Sequence, residues 1–191
     1  MAQIVASCMI IGQLSIVDLI DRQVAAEHSL WTQYRVHFGF ADYSERHQIE
    51  PLTWRGLRLV GQRFEPVGRV RGVVHVVHGY QDHTGFQEPL IRHLTQNGWA
   101  VRTIDLPGHG VSEGARAEIT SMGDYSSVLS HWTGGQSKPL RIIGHSMGGA
   151  VIMEGMRSGL INPSDRVVLI APLVRWSSWR LSAVGEFLLG W

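Results

Sequence analysis

The chain has 191 residues, of which 44% are apolar and 17% are charged, and its formal net charge is +1. This length is sufficient for one domain with a well-buried core. The charge is nearly balanced and forms no basic stripe, which argues against nucleic acid as a partner. Cys8 is the single cysteine, so an internal disulfide is excluded. No Cys or His spacing typical of a metal site occurs, and we expect neither a metal nor a cofactor.

Residues 4–20 are largely apolar, but Gln13 and Asp18 interrupt the run. No Lys or Arg precedes this run, whereas a secretory signal begins with a positively charged region. The pattern favours an N-terminal helix or a misassigned start over export, and we expect a cytoplasmic protein. Residues 21–50 are polar and mixed in composition. We therefore expect residues 1–50 to form an N-terminal extension of uncertain structure.

The region after residue 52 begins with two strand-like segments. Residues 53–64 alternate between apolar and polar side chains, which predicts a β-ribbon with Gly56 and Gly61 near its bends. Residues 70–77 form a run rich in β-branched valines. A short apolar run of this kind predicts a strand that is buried on both faces of a parallel sheet.

The next segment has the pattern of a helix. Thr84–Gln87 matches a capping box, and apolar residues recur at helical spacing from Phe86 to Leu94. Proline fits the first turn of a helix but not its interior, so regular helix is predicted to begin near Pro89. Asn97-Gly98 predicts the end of this helix.

Strand and helix patterns alternate from this point. The predicted elements are a strand at 99–106, a helix at 121–132, a strand at 139–143, a helix at 147–157 and a strand at 166–171. Such alternation predicts right-handed βαβ units, and therefore an α/β fold with a mostly parallel sheet and helices on both faces. Ligands of such sheets bind at the carboxyl ends of the strands, where His78, Asp105 and Ser146 are found.

The pattern G-x-S-x-G occurs at Gly144–Gly148, between a predicted strand and a predicted helix. This context is typical of a nucleophile elbow, a sharp turn with a serine at its tip, and it makes Ser146 the candidate nucleophile. The amide of Met147 lies at a helix N-terminus, where backbone N–H groups are available to an oxyanion. The alternative is a glycine-rich turn that only packs.

A second oxyanion donor is expected from the loop after strand 70–77, because enzymes with this elbow use a backbone N–H from that loop. His78-Gly79-Tyr80 lies there. We assign the donor to Tyr80, because Gly79 lets the chain approach the substrate oxygen. The alternative for this segment is an ordinary tight turn.

Four other polar residues near these motifs are predicted to have structural roles. Asp105 is expected to accept hydrogen bonds from loop amides. His78 and His109 are expected to form structural hydrogen bonds and not to act as bases. His145 is expected to point into the sheet packing and away from Ser146.

None of the ten histidines follows Ser146 in the chain. Enzymes with a nucleophile elbow carry their triad in the order Ser, Asp or Glu, His. The carboxylates after Ser146 are Glu154 inside the next helix, Asp165 before a strand and Glu186 in the tail. None of them is a convincing triad acid, so we assign neither a triad acid nor a triad histidine.

The C-terminal tail has an amphipathic pattern that is rich in tryptophan. Apolar residues recur at spacings near three and four, namely Trp176, Trp179, Val184, Phe187, Leu188 and Trp191. One interpretation is a lid or cap that contacts acyl chains or makes peripheral contact with a membrane through its Trp and Phe side chains. The other is a helix that docks on parts of its own domain that this sequence does not include. Exposed apolar area of this kind needs a partner, and the pattern leaves both interpretations open.

Four segments occur in a recognisable order, namely HGYQDHTGF, DLPGHGVSEG, GHSMGGAV and RVVLIAPLV. Together they resemble the α/β-hydrolase superfamily, and most closely its branch of monoacylglycerol lipases and lysophospholipases, also called serine aminopeptidase-like hydrolases. The resemblance covers about residues 53–175. It implies an eight-stranded, mostly parallel sheet, with Ser146 as nucleophile and the amides of Tyr80 and Met147 as the oxyanion hole.

The resemblance implies a serine hydrolase that cleaves carboxylic esters of monoacyl lipids through an acyl-serine intermediate, with a small lipid or ester as its partner. Family members continue through two further strands that carry the catalytic Asp and His. We therefore expect an incomplete, C-terminally truncated fold, with an extension at 1–50, a core at 51–175 and the start of a cap or lid helix at 176–191. The alternatives are a catalytically incomplete fragment or pseudoenzyme, and a peptidase or acyltransferase of the same fold.

Overall fold

The computed structural model describes residues 26–118, 121–134, 139–162 and 165–174. The helices are α1 (Ala26–His37), α2 (Glu88–Gln96), α3 (Met122–Thr133) and α4 (Met147–Arg157). The strands are β1 (His47–Trp54), β2 (Leu57–Phe64), β3 (Gly72–Val77), β4 (Trp99–Ile104), β5 (Arg141–His145) and β6 (Arg166–Ile170). The expectations for residues 1–25 and for the tryptophan-rich tail lie outside the described residues.

The six strands form one sheet in the order β1-β2-β4-β3-β5-β6. β1, β2 and β4 pair antiparallel, whereas β4, β3, β5 and β6 pair parallel. This arrangement confirms the predicted mostly parallel sheet. After β3 the chain moves to β4 on one side and then returns to β5 on the other. A reversal of this kind opens a crevice at the carboxyl ends of β3 and β5.

The hairpin of β1 and β2 replaces the shorter ribbon that the sequence predicted. Arg55 and Gly56 form its two-residue turn, and both have positive φ angles (47° and 81°). A turn with two positive φ angles matches the twist of the paired strands. Gly61 does not lie at a bend, contrary to expectation. It lies within β2, where a Cβ atom would stand 2.1 Å from the ring of Trp132, so its missing side chain makes room for the indole.

α2 begins and ends near the predicted positions, but its start differs in detail. Pro89 lies in the first turn of the helix, and Gly98 follows its end with a φ of +81°. The predicted capping box at Thr84–Gln87 is wrong, because these residues form a 3₁₀ turn that the ring of His83 caps by accepting from the Gly85 amide. In a capping box the Thr84 hydroxyl would bind a backbone amide of the helix. Here it donates to the carboxylate of Asp105, which lies after β4.

Apolar side chains fill both faces of the sheet. On one face, α3 and α4 pack with residues that include Leu59, Ile104, Val128, Trp132, Val151 and Ile152. On the other face, α1 and α2 pack with residues that include Trp31, Tyr34, Phe40, Phe64, Ile91 and Val101. Helices therefore cover both faces, as the alternation of strands and helices predicted.

The second of these clusters includes side chains from the polar segment before residue 50. Phe40 is fully buried and its ring lies 4.6 Å from that of Phe64 in β2. The ring of His47 stacks on Phe64 at 4.4 Å and hydrogen-bonds to Gln62 at 3.0 Å. The composition of residues 21–50 did not predict this packing, because the segment is polar and mixed overall, although Trp31, Tyr34 and Phe38 recur at helical spacing.

We predict that His47 makes the protein less stable in mild acid. Burial lowers the pKa of His47 from 6.5 to about 4. The pKa in the folded state lies below that of the unfolded chain, so the stabilising effect is complete above pH 6.5 and is lost as the pH falls towards 4. The loss is at most about 3 kcal/mol for a shift of this size.

Urea unfolding of the wild type and of a His47→Gln variant between pH 8 and 5 tests this prediction. Glutamine can keep the hydrogen bond to Gln62 but does not titrate, so the free energy of unfolding should depend less on pH in the variant. Burial also lowers the pKa values of His78 and His109. Both residues are present in the wild type and in the variant, so they contribute equally to the pH dependence of the free energy of unfolding in the two proteins. Equal pH dependence of the two proteins would contradict the assignment to His47.

β6 forms an edge within the described part of the sheet, since no described strand pairs with its outer side. Val168 and Ile170 on this strand are 53% and 41% exposed. Val168 also lines a groove of about 230 Å³ with Trp99 and Ile143, and Arg141 and Arg166 lie at the same groove. An exposed apolar edge strand of this kind is a template for pairing with another chain.

We predict that the 191-residue chain self-associates through β6 and that Val168→Lys weakens the association. A lysine on an edge strand opposes pairing with a second edge. Sedimentation velocity over a series of protein concentrations measures the effect, and Val67→Lys is the matched control, because Val67 is 80% exposed and lies outside the strands. A wild type that remains a monomer at every concentration would contradict this prediction.

No helix in the described ranges is both long enough and apolar enough to cross a bilayer.

Candidate active site

Ser146 occupies a strained turn between β5 and α4. Its φ and ψ angles are +51° and −115°, a conformation that residues other than glycine rarely adopt. Two backbone hydrogen bonds join it to β6 and the residues that follow, because the Ser146 amide donates to the Ile170 carbonyl (3.0 Å) and the Leu173 amide donates to the Ser146 carbonyl (2.9 Å). The end of β6 therefore fixes the turn that presents the half-buried Ser146 side chain at the crevice.

The glycines around Ser146 allow the first turn of α4 to lie directly on the sheet. A Cβ atom on Gly148 would stand 2.3 Å from the Val77 carbonyl oxygen at the end of β3. A Cβ atom on Gly144 would stand 2.7 Å from backbone atoms of Gly148, and one on Gly149 would stand 2.7 Å from Pro172. The first turn of α4 therefore lies close on the sheet, which explains why small residues are needed on both sides of Ser146.

We predict that Gly148→Ala destabilises the protein by about 2 kcal/mol or more, because the new methyl group overlaps backbone atoms that have no room to move. Gly123→Ala in α3 is the matched control, since the nearest atom to a Cβ there is 3.5 Å away and alanine favours helix over glycine by about 1 kcal/mol. Thermal and urea unfolding of the two variants measures the contrast. Equal stability of both would show that α4 does not rest on β3 as described.

The loop after β3 meets the Ser146 turn in the crevice. A Cβ atom on Gly79 would stand 3.4 Å from the Cβ atom of Ser146 and 3.3 Å from Nδ1 of His145. Tyr80 follows Gly79, and Met147 is the first residue of α4, whose initial amides have no partner within the helix. The fold therefore brings the segments of all three predicted site residues to one crevice, and their catalytic roles stay predictions.

Asp105 joins the loops that follow β3 and β4. Its fully buried carboxylate accepts from the amide and the hydroxyl of Thr84 (2.8 and 2.7 Å) and from the amide of Val111 (3.0 Å). The prediction that Asp105 binds loop amides is confirmed. These bonds fix both loops at the carboxyl edge of the sheet, beside the crevice.

The His78 and His109 rings support the same loops. Nε2 of His78 accepts from the Leu106 amide (3.0 Å), so the proton of the neutral ring lies on Nδ1, which donates to the Gly79 carbonyl (2.7 Å). Burial lowers the pKa of His78, and it also lowers that of His109. Nδ1 of His109 lies 3.0 Å from the Pro107 carbonyl. Both rings therefore form the predicted structural contacts.

The prediction for His145 is wrong. Its side chain does not point into the sheet packing but is 46% exposed, with Nδ1 4.0 Å from Oδ2 of Asp82. His145 is the last residue of β5, so its ring lies at the crevice beside the loop after β3 and not between the sheet and a helix.

Comparison with known proteins identifies the family. The sequence model of the family described as serine aminopeptidase, S33, matches residues 68–191. The chain belongs to this hydrolase family. Human monoglyceride lipase is 32% identical over 130 residues, which cover 62% of this chain and 41% of the lipase. Phospholipase YtpA of Bacillus subtilis is 32% identical over 103 residues, which cover 52% of this chain and 40% of that protein.

Solved structures confirm the predicted α/β-hydrolase fold. A soluble variant of monoglyceride lipase from Saccharomyces cerevisiae superposes with a TM-score of 0.59 at 23% identity, covering 75% of this chain and 51% of that one. A monoacylglycerol lipase from Paleococcus ferrophilus has a TM-score of 0.57 at 27% identity, covering 68% and 50% of the two chains. The chain thus spans about half the length of these relatives, or less.

Glu154 and Asp165, the two described carboxylates that follow Ser146 in the chain, bind partners away from the crevice. Glu154 forms an ion pair with Arg157 at 2.7 Å. Asp165 accepts from the amides of Leu140 (2.7 Å) and Asn162 (3.1 Å). It lies at the amino ends of β5 and β6, whereas Ser146 lies at the carboxyl end of β5. Glu186 lies outside the described residues. Within the described ranges, no group of three or more His, Cys, Asp or Glu side chains is placed to hold a metal ion.

Asp82 is a residue of the crevice that sequence reasoning missed. It lies two positions after Tyr80, and no spacing rule distinguishes it from any other loop carboxylate. Its side chain is only 17% exposed and faces both the loop after β3 and His145. The signal that could have found it is its position within the segment HGYQDHTGF, which carries part of the family resemblance.

Proposed function

We propose that the protein is a serine hydrolase that cleaves carboxylic esters of monoacyl lipids. The observation that carries this proposal is the meeting of the strained Ser146 turn with the Gly79-Tyr80 loop at the carboxyl edge of the sheet. Substrate class is inferred from relatives named monoglyceride lipase and phospholipase. The reaction type is inferred from the match to the serine aminopeptidase, S33, family and from the nucleophile elbow.

The proposed reaction begins with attack of the Ser146 hydroxyl oxygen on the acyl carbonyl carbon. The Met147 and Tyr80 amides donate to the oxyanion of the tetrahedral intermediate, and removal of one such donor costs about 3–4 kcal/mol in related enzymes. The intermediate collapses to an acyl-serine as the alcohol leaves. Water then attacks the acyl-serine, releases the fatty acid and restores the Ser146 hydroxyl.

The reaction needs a general base for the Ser146 proton. In enzymes with this elbow the base is a histidine that follows the nucleophile in the chain. The sequence has no histidine after Ser146. This observation favours a second candidate, a catalytically incomplete chain, in which an oxyanion hole alone would leave about 10³–10⁴-fold acceleration over water. A peptidase or acyltransferase would share the same elbow and loop.

We predict that the 191-residue chain hydrolyses p-nitrophenyl butyrate and octanoate, and that Ser146→Ala abolishes this turnover, because the substitution removes the attacking oxygen. Ser158→Ala, at the exposed end of α4, is the matched control and should have wild-type activity. Release of p-nitrophenolate measures the rates. Mass spectrometry of a fluorophosphonate adduct then locates the reactive serine.

Each result separates the candidates. Turnover that Ser146→Ala removes supports the serine hydrolase, and faster cleavage of a monoacylglycerol than of a peptide p-nitroanilide supports the lipid substrate class. Equal rates in the wild type and Ser146→Ala, with no adduct on Ser146, would favour the catalytically incomplete chain. Peptide cleavage without ester cleavage would favour the peptidase.

A further inference from the structure

The carboxylate of Asp82 binds the loop that carries the candidate oxyanion donor. Oδ2 accepts from the Gly79 amide (3.2 Å) and from Nε2 of Gln87 (2.5 Å), and Oδ1 accepts from the His83 amide (2.7 Å). The side chain is 17% exposed. A carboxylate held by three donors in one short loop fixes the path of that loop.

Two features show that this loop needs an anchor. Gly79 has little room for a side chain, since a Cβ atom there would stand 3.3 Å from Nδ1 of His145 and 3.4 Å from the Cβ atom of Ser146, but glycine itself restricts its backbone very little. Gln81 has a φ of +54°, a strained angle for a residue with a side chain. The bond from the Gly79 amide to Asp82 holds the peptide group before Gly79, and Nδ1 of His78 donates to the Gly79 carbonyl (2.7 Å), so the two bonds together fix the peptide group between Gly79 and Tyr80. That peptide group contains the Tyr80 N–H.

We propose that Asp82 is a positioning residue that, together with His78, fixes the orientation of the Tyr80 amide, so that it points to the same oxyanion as the Met147 amide. This inference rests on the proposed function. Asp82 acts through the amide of Gly79 and is assigned no contact with the substrate. The negative charge of Asp82 lies near the position of the developing oxyanion and is unfavourable there, and the three hydrogen-bond donors to the carboxylate partly offset it.

The Asp82 carboxylate also faces the turn that carries Ser146. Nδ1 of His145 lies 4.0 Å from Oδ2 of Asp82, and His145 directly precedes Ser146. Asp82 therefore lies between the loop with Tyr80 and the turn with Ser146. Removal of the Asp82 carboxylate loosens the contact between this loop and this turn, whereas the apolar core that supports both of them remains intact.

The first test is kinetic and uses the full chain. Asp82→Ala should lower kcat for p-nitrophenyl butyrate by about tenfold to a hundredfold, less than full loss of one oxyanion donor, with little change in KM. Asp82→Asn keeps an acceptor oxygen without the charge and should recover most of kcat. Glu45→Ala removes an exposed carboxylate outside the crevice and is the control. A monoacylglycerol should show the same loss as the p-nitrophenyl ester, whereas a contact to the leaving alcohol would affect the glycerol ester alone.

The second test does not depend on turnover. Residue-resolved amide hydrogen exchange by NMR should show a protected Gly79 amide in the wild type and in Asp82→Asn, and exchange at least about tenfold faster in Asp82→Ala. Amides of β3 and α4 should be unchanged. Unchanged exchange at Gly79 in Asp82→Ala overturns the proposal, as does unchanged kcat in an active protein. A wild type without Ser146-dependent turnover contradicts the proposed function, and the exchange result then decides the positioning role by itself.

Discussion

The strained backbone of Ser146 is the feature on which the rest of the crevice depends. A serine with a φ of +51° is stable only where its surroundings hold it, and here β6 and the residues that follow bind its amide and its carbonyl. Those bonds continue directly from the β5–β6 ladder, whose last pair is His145 and Ile170. Gly148 then allows α4 to rest on the end of β3. The position of one side chain thus depends on three parallel strands and one helix.

The loops beside this turn are held by buried polar groups and not by apolar packing. Asp105 is fully buried and joins the loops after β3 and β4, and neutral His78 joins the end of β3 to Leu106. Buried polar groups cost free energy unless they are hydrogen-bonded, so each of them permits few arrangements of the surrounding chain. This explains how a crevice made of glycine-rich loops keeps a defined shape.

The packed fold begins earlier in the chain than the family match does. The S33 match starts at residue 68, but Trp31, Phe40 and Phe64 belong to the same apolar cluster as Ile91 in α2. The β1–β2 hairpin extends the parallel part of the sheet, and α1 covers part of one face. The segment before residue 68 therefore contributes to the core on that face, and burial in this packing lowers the pKa of His47 to about 4.

Local patterns in the sequence determined the alternation of strands and helices, the bounds of α4 and the serine turn, because periodicity and glycine spacing act within a few residues. Tertiary structure alone decided the orientation of His145, the place of Gly61 under Trp132 and the burial of His47. It also decided that the Asp82 carboxylate meets the Gly79 amide and His145 at one point. These features depend on residues far apart in the chain, whose contacts form only when the sheet order brings their loops together.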